Sequence, residues 1–256
     1  MDKSKNLFDD GFHAELVADA IFSGILQIPT LKPPKDIIIP KTLIPFSKRK
    51  QSKKHDEFVC FYEYDIKFRD LLTSVEQFLP ELKAFPGIIT PDCSLYRDMP
   101  LVLQLANIYM NRAIGYKLQS EGIYVIPSIR WGDDRTYTDR YLPEQAAFLG
   151  VPKNSIVSVS TYGCMKDISD RVCFQGGLDA MLDALRPHTV LVYGPMPEDI
   201  FEPYDEDVRF VQYDDWITFK HRKDLKPDEG SGHVPSYTKL IIPKKRRRNV
   251  AKENSD

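Results

Sequence analysis

Ile123-Tyr-Val-Ile-Pro-Ser-Ile-Arg-Trp-Gly-Asp-Asp134 begins as a short apolar, β-branched run and ends in a cluster of charge and aromatic rings. The run is too short for a helix and suits a buried strand. Just upstream, residues 101–120 carry Leu101, Leu105, Ile108, Ala113 and Tyr116 at helical spacing. Pro100 suits a first helical turn and Gly122 follows the last one. Helix, turn, strand and polar loop make one repeat of an α/β unit.

The same unit recurs along the chain. Short apolar runs at 58–62, 87–90, 123–126, 155–159, 189–192 and 208–211 read as strands. Helical segments are expected at 66–85, 101–120, 143–148, 169–185 and 198–204, with Ser169 or Asp170 capping the fourth and Gly176-Gly177 within it as a close packing point. Strands alternating with helices imply βα units and a mainly parallel sheet. Upstream, residues 10–23 place Phe12, Leu16, Ala20 and Ile21 on one helical face. Pro29, Pro33, Pro34, Pro40 and Pro45 then favour an extended arm with short strands at 37–39 and 42–44. The expected organisation is an N-terminal helix and proline-rich arm over 1–57, an α/β domain over 58–222 and a flexible basic tail over 223–256.

The composition is that of a soluble globular chain, with 42% hydrophobic and 28% charged residues. No run approaches the ~20 apolar residues of a bilayer span, so a cytoplasmic protein with no membrane partner is expected. Four widely spaced cysteines argue against a structural zinc site and fit reduced thiols. The formal net charge of -2 hides an asymmetry: from Lys239 onward there are seven basic residues and two acidic ones. Lys244, Lys245, Arg246, Arg247 and Arg248 form a block suited either to sequence-independent attraction to nucleic acid or to a solvated terminus.

In parallel α/β folds the ligand site lies at the carboxyl ends of the strands, where loops converge. The residues just past the strands are polar and aromatic: Glu63, Tyr64 and Asp65 after the first, Asp92, Ser94, Tyr96, Arg97 and Asp98 after the second, Arg130, Trp131, Asp133, Asp134 and Arg135 after the third, Thr161, Tyr162 and Cys164 after the fourth, Tyr193 and Gly194 after the fifth, Gln212, Tyr213, Asp214 and Asp215 after the sixth. The opposite ends offer Pro86, Gly122, Asn154 and His188, which are ordinary turn residues. Any single Asp can instead cap the next helix. Six decorated ends in succession favour a barrel-like (partial β/α barrel) arrangement over a doubly wound open sheet, because a barrel brings every strand end to one mouth.

Residue types suggest roles. Asp92, Asp98 and Asp133 are candidate catalytic carboxylates, and Asp92 with Asp133 is also a candidate holder of a divalent metal. Arg97 and Arg130 suit a phosphate or carboxylate, and Trp131, Tyr162 or Tyr193 can stack on a planar ring, with Asp214 as a further ligand contact. The histidines avoid these loops, which disfavours a Ser-His-Asp triad, and Cys164 lacks a histidine base. Neither a phosphate-loop GxxxxGK[ST] pattern nor a GxGxxG after a strand occurs.

Phe61-Tyr-Glu-Tyr-Asp65, Ile89-Thr-Pro-Asp-Cys-Ser-Leu-Tyr-Arg-Asp-Met-Pro100, Ile129-Arg-Trp-Gly-Asp133, Thr161-Tyr-Gly-Cys164 and Val192-Tyr-Gly194 together resemble the DUF4417 family of bacterial and bacteriophage proteins. The family carries no assigned activity, so the resemblance implies a setting in bacteria, phages and mobile elements and transfers no catalytic role. Three functions stay open: an enzyme acting on a nucleotide or nucleic-acid substrate at the strand ends, a nucleic-acid-binding accessory protein using the tail, and an interaction module that binds a host protein through the arm.

Overall fold

The computed structural model describes residues 14–52, 55–204, 208–224 and 238–241. A two-residue antiparallel pair, β1 (Phe22–Ser23) and β2 (Ile28–Pro29), comes first. It is followed by β3 (Leu43–Pro45), β4 (Phe58–Cys60), β5 (Ile88–Ile89), β6 (Val125–Ile126), β7 (Ile156–Ser160), β8 (Thr189–Tyr193) and β9 (Arg209–Tyr213). Strands β3 to β6 form one parallel ladder and β7 to β9 another. Pro127 has no N–H to donate and ends β6 early. The chain still reaches β7: Ser128 bridges Ser158, Ile129 N donates to Ser158 O at 2.8 Å and Ser158 N to Pro127 O at 2.8 Å. β10 (Thr238–Ile241), in the stretch expected to be a flexible tail, pairs antiparallel with the free edge of β9.

The protein is therefore α/β, with parallel strands that neighbour one another in chain order. A doubly wound sheet would reverse that order at a switch point, and no reversal occurs among the described residues. Side chains alternate across the strands. Leu43, Phe58, Ile89, Ile126, Ile156, Leu191 and Val211 face inward and share one cluster to which every strand from β3 to β9 contributes. The sheet thus curls until its ends approach, and Tyr213 Oη donates to Pro40 O at 2.6 Å across the gap. Among the described residues no ladder joins β9 to β3, so this is not a closed barrel.

The outward faces pack under helices. Val59, Ile88 and Val125 lie beneath α1 (Arg69–Thr73), α2 (Val75–Leu82) and α3 (Leu101–Ser120). After the short α4 (Asp134–Tyr137), α5 (Ile168–Leu185) covers Val157, Val159, Val190 and Val192. α6 (Glu198–Phe201) and α7 (Trp216–Asp224) follow among the described residues.

Several local expectations change. The helix expected over 66–85 is a 3-10 turn, Asp65–Lys67, followed by α1 and α2. Thr73 Oγ1 turns back onto the carbonyls of Arg69 and Asp70, and Ser74 takes an extended φ of -157°. Of the helix expected over 10–23, the described part forms a 3-10 turn, Ala14–Val17, and then β1. Strand 42–44 appears as β3, whereas Ile37 to Ile39 form no strand. The cap of α5 is Asp167, whose carboxylate accepts Asp170 N at 2.8 Å.

Gly177 explains how the loop after β6 packs. A Cβ there would lie 2.2 Å from the Trp131 indole, which is held by Phe174 and by a hydrogen bond from its Nε1 to Cys173 O at 3.2 Å. Gly177→Ala gains about 1 kcal/mol of helix propensity, but the clash with a pinned buried ring costs more. A thermal midpoint lower by roughly 2–4 °C is expected in a melt; a rise would contradict this packing.

Candidate functional site

A cleft of about 580 Å³ opens at the carboxyl ends of β5, β6 and β7. Its walls are the loops after those strands and the first turns of α5, and Arg97, Asp98, Arg130, Trp131, Lys166 and Asp170 line it. Asp92 lies beneath, 5% exposed. Its Oδ2 accepts from Arg130 Nη1 at 2.5 Å and its Oδ1 from Ser128 Oγ at 3.1 Å. Burial pushes the Asp92 carboxyl upward, while Arg130 and the Ser128 hydroxyl pull it back. Burial also works against the charge of Arg130, but the Asp92 carboxylate outweighs it and raises that pKa above the ordinary arginine value. Arg130 is thus a fixed cation with a buried anchor. Its Nη2 approaches Cys164 Sγ at 3.8 Å, and its buried Nε finds no partner among the described residues.

The anchor belongs to a buried polar network built on α3. Thr90 Oγ1 accepts from Ser128 N at 2.7 Å and donates to Asn111 Oδ1 at 3.1 Å, and Asn111 Nδ2 donates to Pro91 O at 2.6 Å. Arg112, 2% exposed, donates to Ser128 O at 3.0 Å, Ala147 O at 3.0 Å, Leu149 O at 3.1 Å and Asn111 Oδ1. Burial lowers its pKa to about 10, so it stays charged at neutral pH. These residues escape an analysis that seeks site residues only beyond strand ends. Gln104, Ile108, Asn111, Arg112 and Gly115 form a helical stripe that is all buried and mostly polar, which apolar periodicity does not mark.

Asp133 is occupied otherwise. It caps α4 through Arg135 N and accepts from Arg135 Nε at 2.8 Å, Arg135 Nη2 at 2.7 Å and Gln104 Nε2 at 3.2 Å. Burial opposes its charge, but these bonds prevail and hold the carboxyl below its usual range. Arg135 in turn donates to the carbonyls of Arg97 and Met99, so the pair shapes the loop that carries Arg97. Arg97 itself meets Asp170 at 3.2 Å, and Asp98 is exposed at the mouth.

The structure does not bring every candidate to this cleft. Tyr193 is buried inside the sheet, stacked on Tyr62 at 4.8 Å, and its hydroxyl accepts Trp216 N. Asp214 lines a separate space of about 20 Å³ with Tyr193 and Tyr213, room for a water and no more. Tyr162 is exposed beside Gly163 and Cys164 at the cleft rim. Trp131 reaches the cleft, but its indole is engaged with Phe174 and Cys173 O. Both Cys164 and Cys173 line the cleft; burial raises both thiols, Cys173 to about 11 with the Asp133 charge contributing. Among the described residues no group of three His, Cys, Asp or Glu side chains is arranged to hold a metal ion, and Asp92 and Asp133 are committed to arginines. Lys244, Lys245, Arg246, Arg247 and Arg248 lie outside the described residues. No helix among the described residues is long and apolar enough to cross a membrane.

Chain-ordered parallel strands, with an arginine-lined cleft at their carboxyl ends, define a protein of the α/β class. The chain belongs to the family described as Domain of unknown function (DUF4417), whose model matches residues 20–214. It is 28% identical over 208 residues to the Gene 1 protein of Mycobacterium phage D29, covering 78% of this chain and 70% of that protein. It is 31% identical over 177 residues to the Gene 1 protein of Mycobacterium phage L5, covering 68% of this chain and 73% of that protein. No solved structure matches the chain.

Proposed function

We propose that the cleft binds a phosphate-bearing ligand, a nucleotide or nucleic acid, and that this binding is the protein's function. The observation that carries the reading is Arg130: a guanidinium at the cleft wall, its side chain 21% exposed, fixed from behind by buried Asp92. A planar fork held in one orientation is what bidentate phosphate recognition requires. Arg97 and Lys166 add charge at the mouth. The Arg97–Asp170 pair is solvent-exposed, so exchanging Asp170 for a phosphate costs little. Relatives in two mycobacteriophages support a setting in which nucleotides and nucleic acids are at hand.

A melt series tests this directly. Nucleoside mono-, di- and triphosphates at millimolar concentration should raise the thermal midpoint by mass action, and the parent nucleosides should not. Arg97→Ala and Lys166→Ala, both surface changes, should each weaken phosphate binding about five- to tenfold with little change in the melt of the free protein. Equal responses to nucleosides and nucleotides, or unchanged affinity in both variants, would contradict the reading.

A further inference from the structure

The edge that holds the cleft also carries exposed tyrosines. Tyr64, just past β4, is 80% exposed; Tyr96, past β5, is 54% exposed; Tyr162, past β7, is 46% exposed. A single exposed tyrosine needs no explanation, but these occupy the loops after β4, β5 and β7 on one rim, with Arg130 in the loop after β6. Contacts between the loops fix their order. Ser94 N and Oγ donate to the Asp65 carboxylate at 3.2 and 2.8 Å, which joins the Tyr64 and Tyr96 loops. Tyr96 and Arg130 line the same cleft, and Arg130 reaches Cys164, two residues from Tyr162.

Cations interleave with the rings. Lys67 follows Tyr64, Arg97 adjoins Tyr96, Arg130 lies between Tyr96 and Tyr162, and Lys166 follows Tyr162. Asp65, Asp98, Asp167 and Asp170 share the rim and moderate this charge. Rings for bases alternating with cations for phosphates is the pattern by which proteins hold unpaired strands, since every base offers a π-face and exposed backbone offers charge. A duplex keeps its bases stacked on one another and cannot use such rings.

We propose that the ligand of this cleft is single-stranded nucleic acid, with a phosphate at Arg130 and neighbouring bases stacked on Tyr64, Tyr96 and Tyr162. The proposal rests on reading the cleft as a phosphate site and narrows its ligand from nucleotides in general to an unpaired strand. About three phosphates held along the rim correspond to a log K against log salt slope near -2 for a single strand.

The test uses the full chain carrying alanine at Lys244, Lys245, Arg246, Arg247 and Arg248, so that this block cannot supply the affinity. Fluorescence anisotropy compares a labelled ten-residue oligothymidylate, the same strand annealed to oligodeoxyadenylate, and thymidine monophosphate as competitor. The oligomer should bind at least tenfold more tightly than the mononucleotide and the duplex. Y64A, Y96A and Y162A should each lose about tenfold for the oligomer and leave mononucleotide competition unchanged for at least Y64A, with phenylalanine at each position restoring binding. Equal affinity for oligomer and mononucleotide overturns the proposal while the phosphate site stands; binding of neither ligand overturns both. Oligomer binding unaffected in all three alanine variants also overturns it.

Discussion

Arg112→Met is expected to destabilise the protein by about 3–5 kcal/mol, because it withdraws a buried cation and leaves its acceptors without a donor. Methionine fills much of the same space, so the loss reports the polar contacts more than a cavity. Four groups are affected together: the carbonyls of Ser128, Ala147 and Leu149 and the Asn111 side chain. Ser128 is also the residue that bridges the two ladders and supports Asp92. Urea denaturation should show a lower midpoint with an unchanged slope, and Arg112→Lys should fall between the wild type and the methionine variant. A loss under about 1 kcal/mol would mean that the network is not what joins α3 to the sheet.

Arg130→Ala should cut phosphate-ligand affinity about a hundredfold or more and also destabilise the fold by roughly 2–4 kcal/mol, since Asp92 would be left buried and unpaired. The two effects separate in the double variant. Adding Asp92→Asn removes the buried charge and should recover most of the stability, while binding stays lost. Asp92→Asn alone should weaken binding about tenfold, because the guanidinium survives without its charged anchor. Calorimetric titration and chemical denaturation on all three proteins check this. Recovery of binding in the double variant would contradict the role given to Arg130.

The strands were legible because a parallel sheet is buried on both faces, and runs such as Ile156-Val-Ser-Val159 announce this with nearly continuous apolar residues. The bounds of α3 were legible from Pro100 and Gly122, and the structure gives Leu101–Ser120. Its buried face was not: Arg112 and Asn111 are held inside by carbonyls from residues far along the chain, contacts that apolar periodicity cannot reveal. The N-terminal helical pattern failed for a related reason. Leu16, Ala20 and Ile21 fit a helical face by spacing, yet the chain turns extended at Phe22, which pairs with Pro29. At the strand ends Arg97 and Arg130 do meet in one cleft. Tyr193 and Asp214 follow strand ends equally well and point elsewhere, because inward or outward orientation at the last strand residue depends on a register that a single sequence does not specify.

The most direct measurement is a two-dimensional amide NMR titration of the protein with a nucleoside triphosphate. Binding at the strand ends predicts saturable shifts in Tyr96 to Asp98, Arg130 to Gly132 and Gly163 to Lys166, absent in Arg130→Ala. Shifts centred instead on Gly122, Asn154 and His188 at the opposite edge, or none at millimolar ligand, would contradict it.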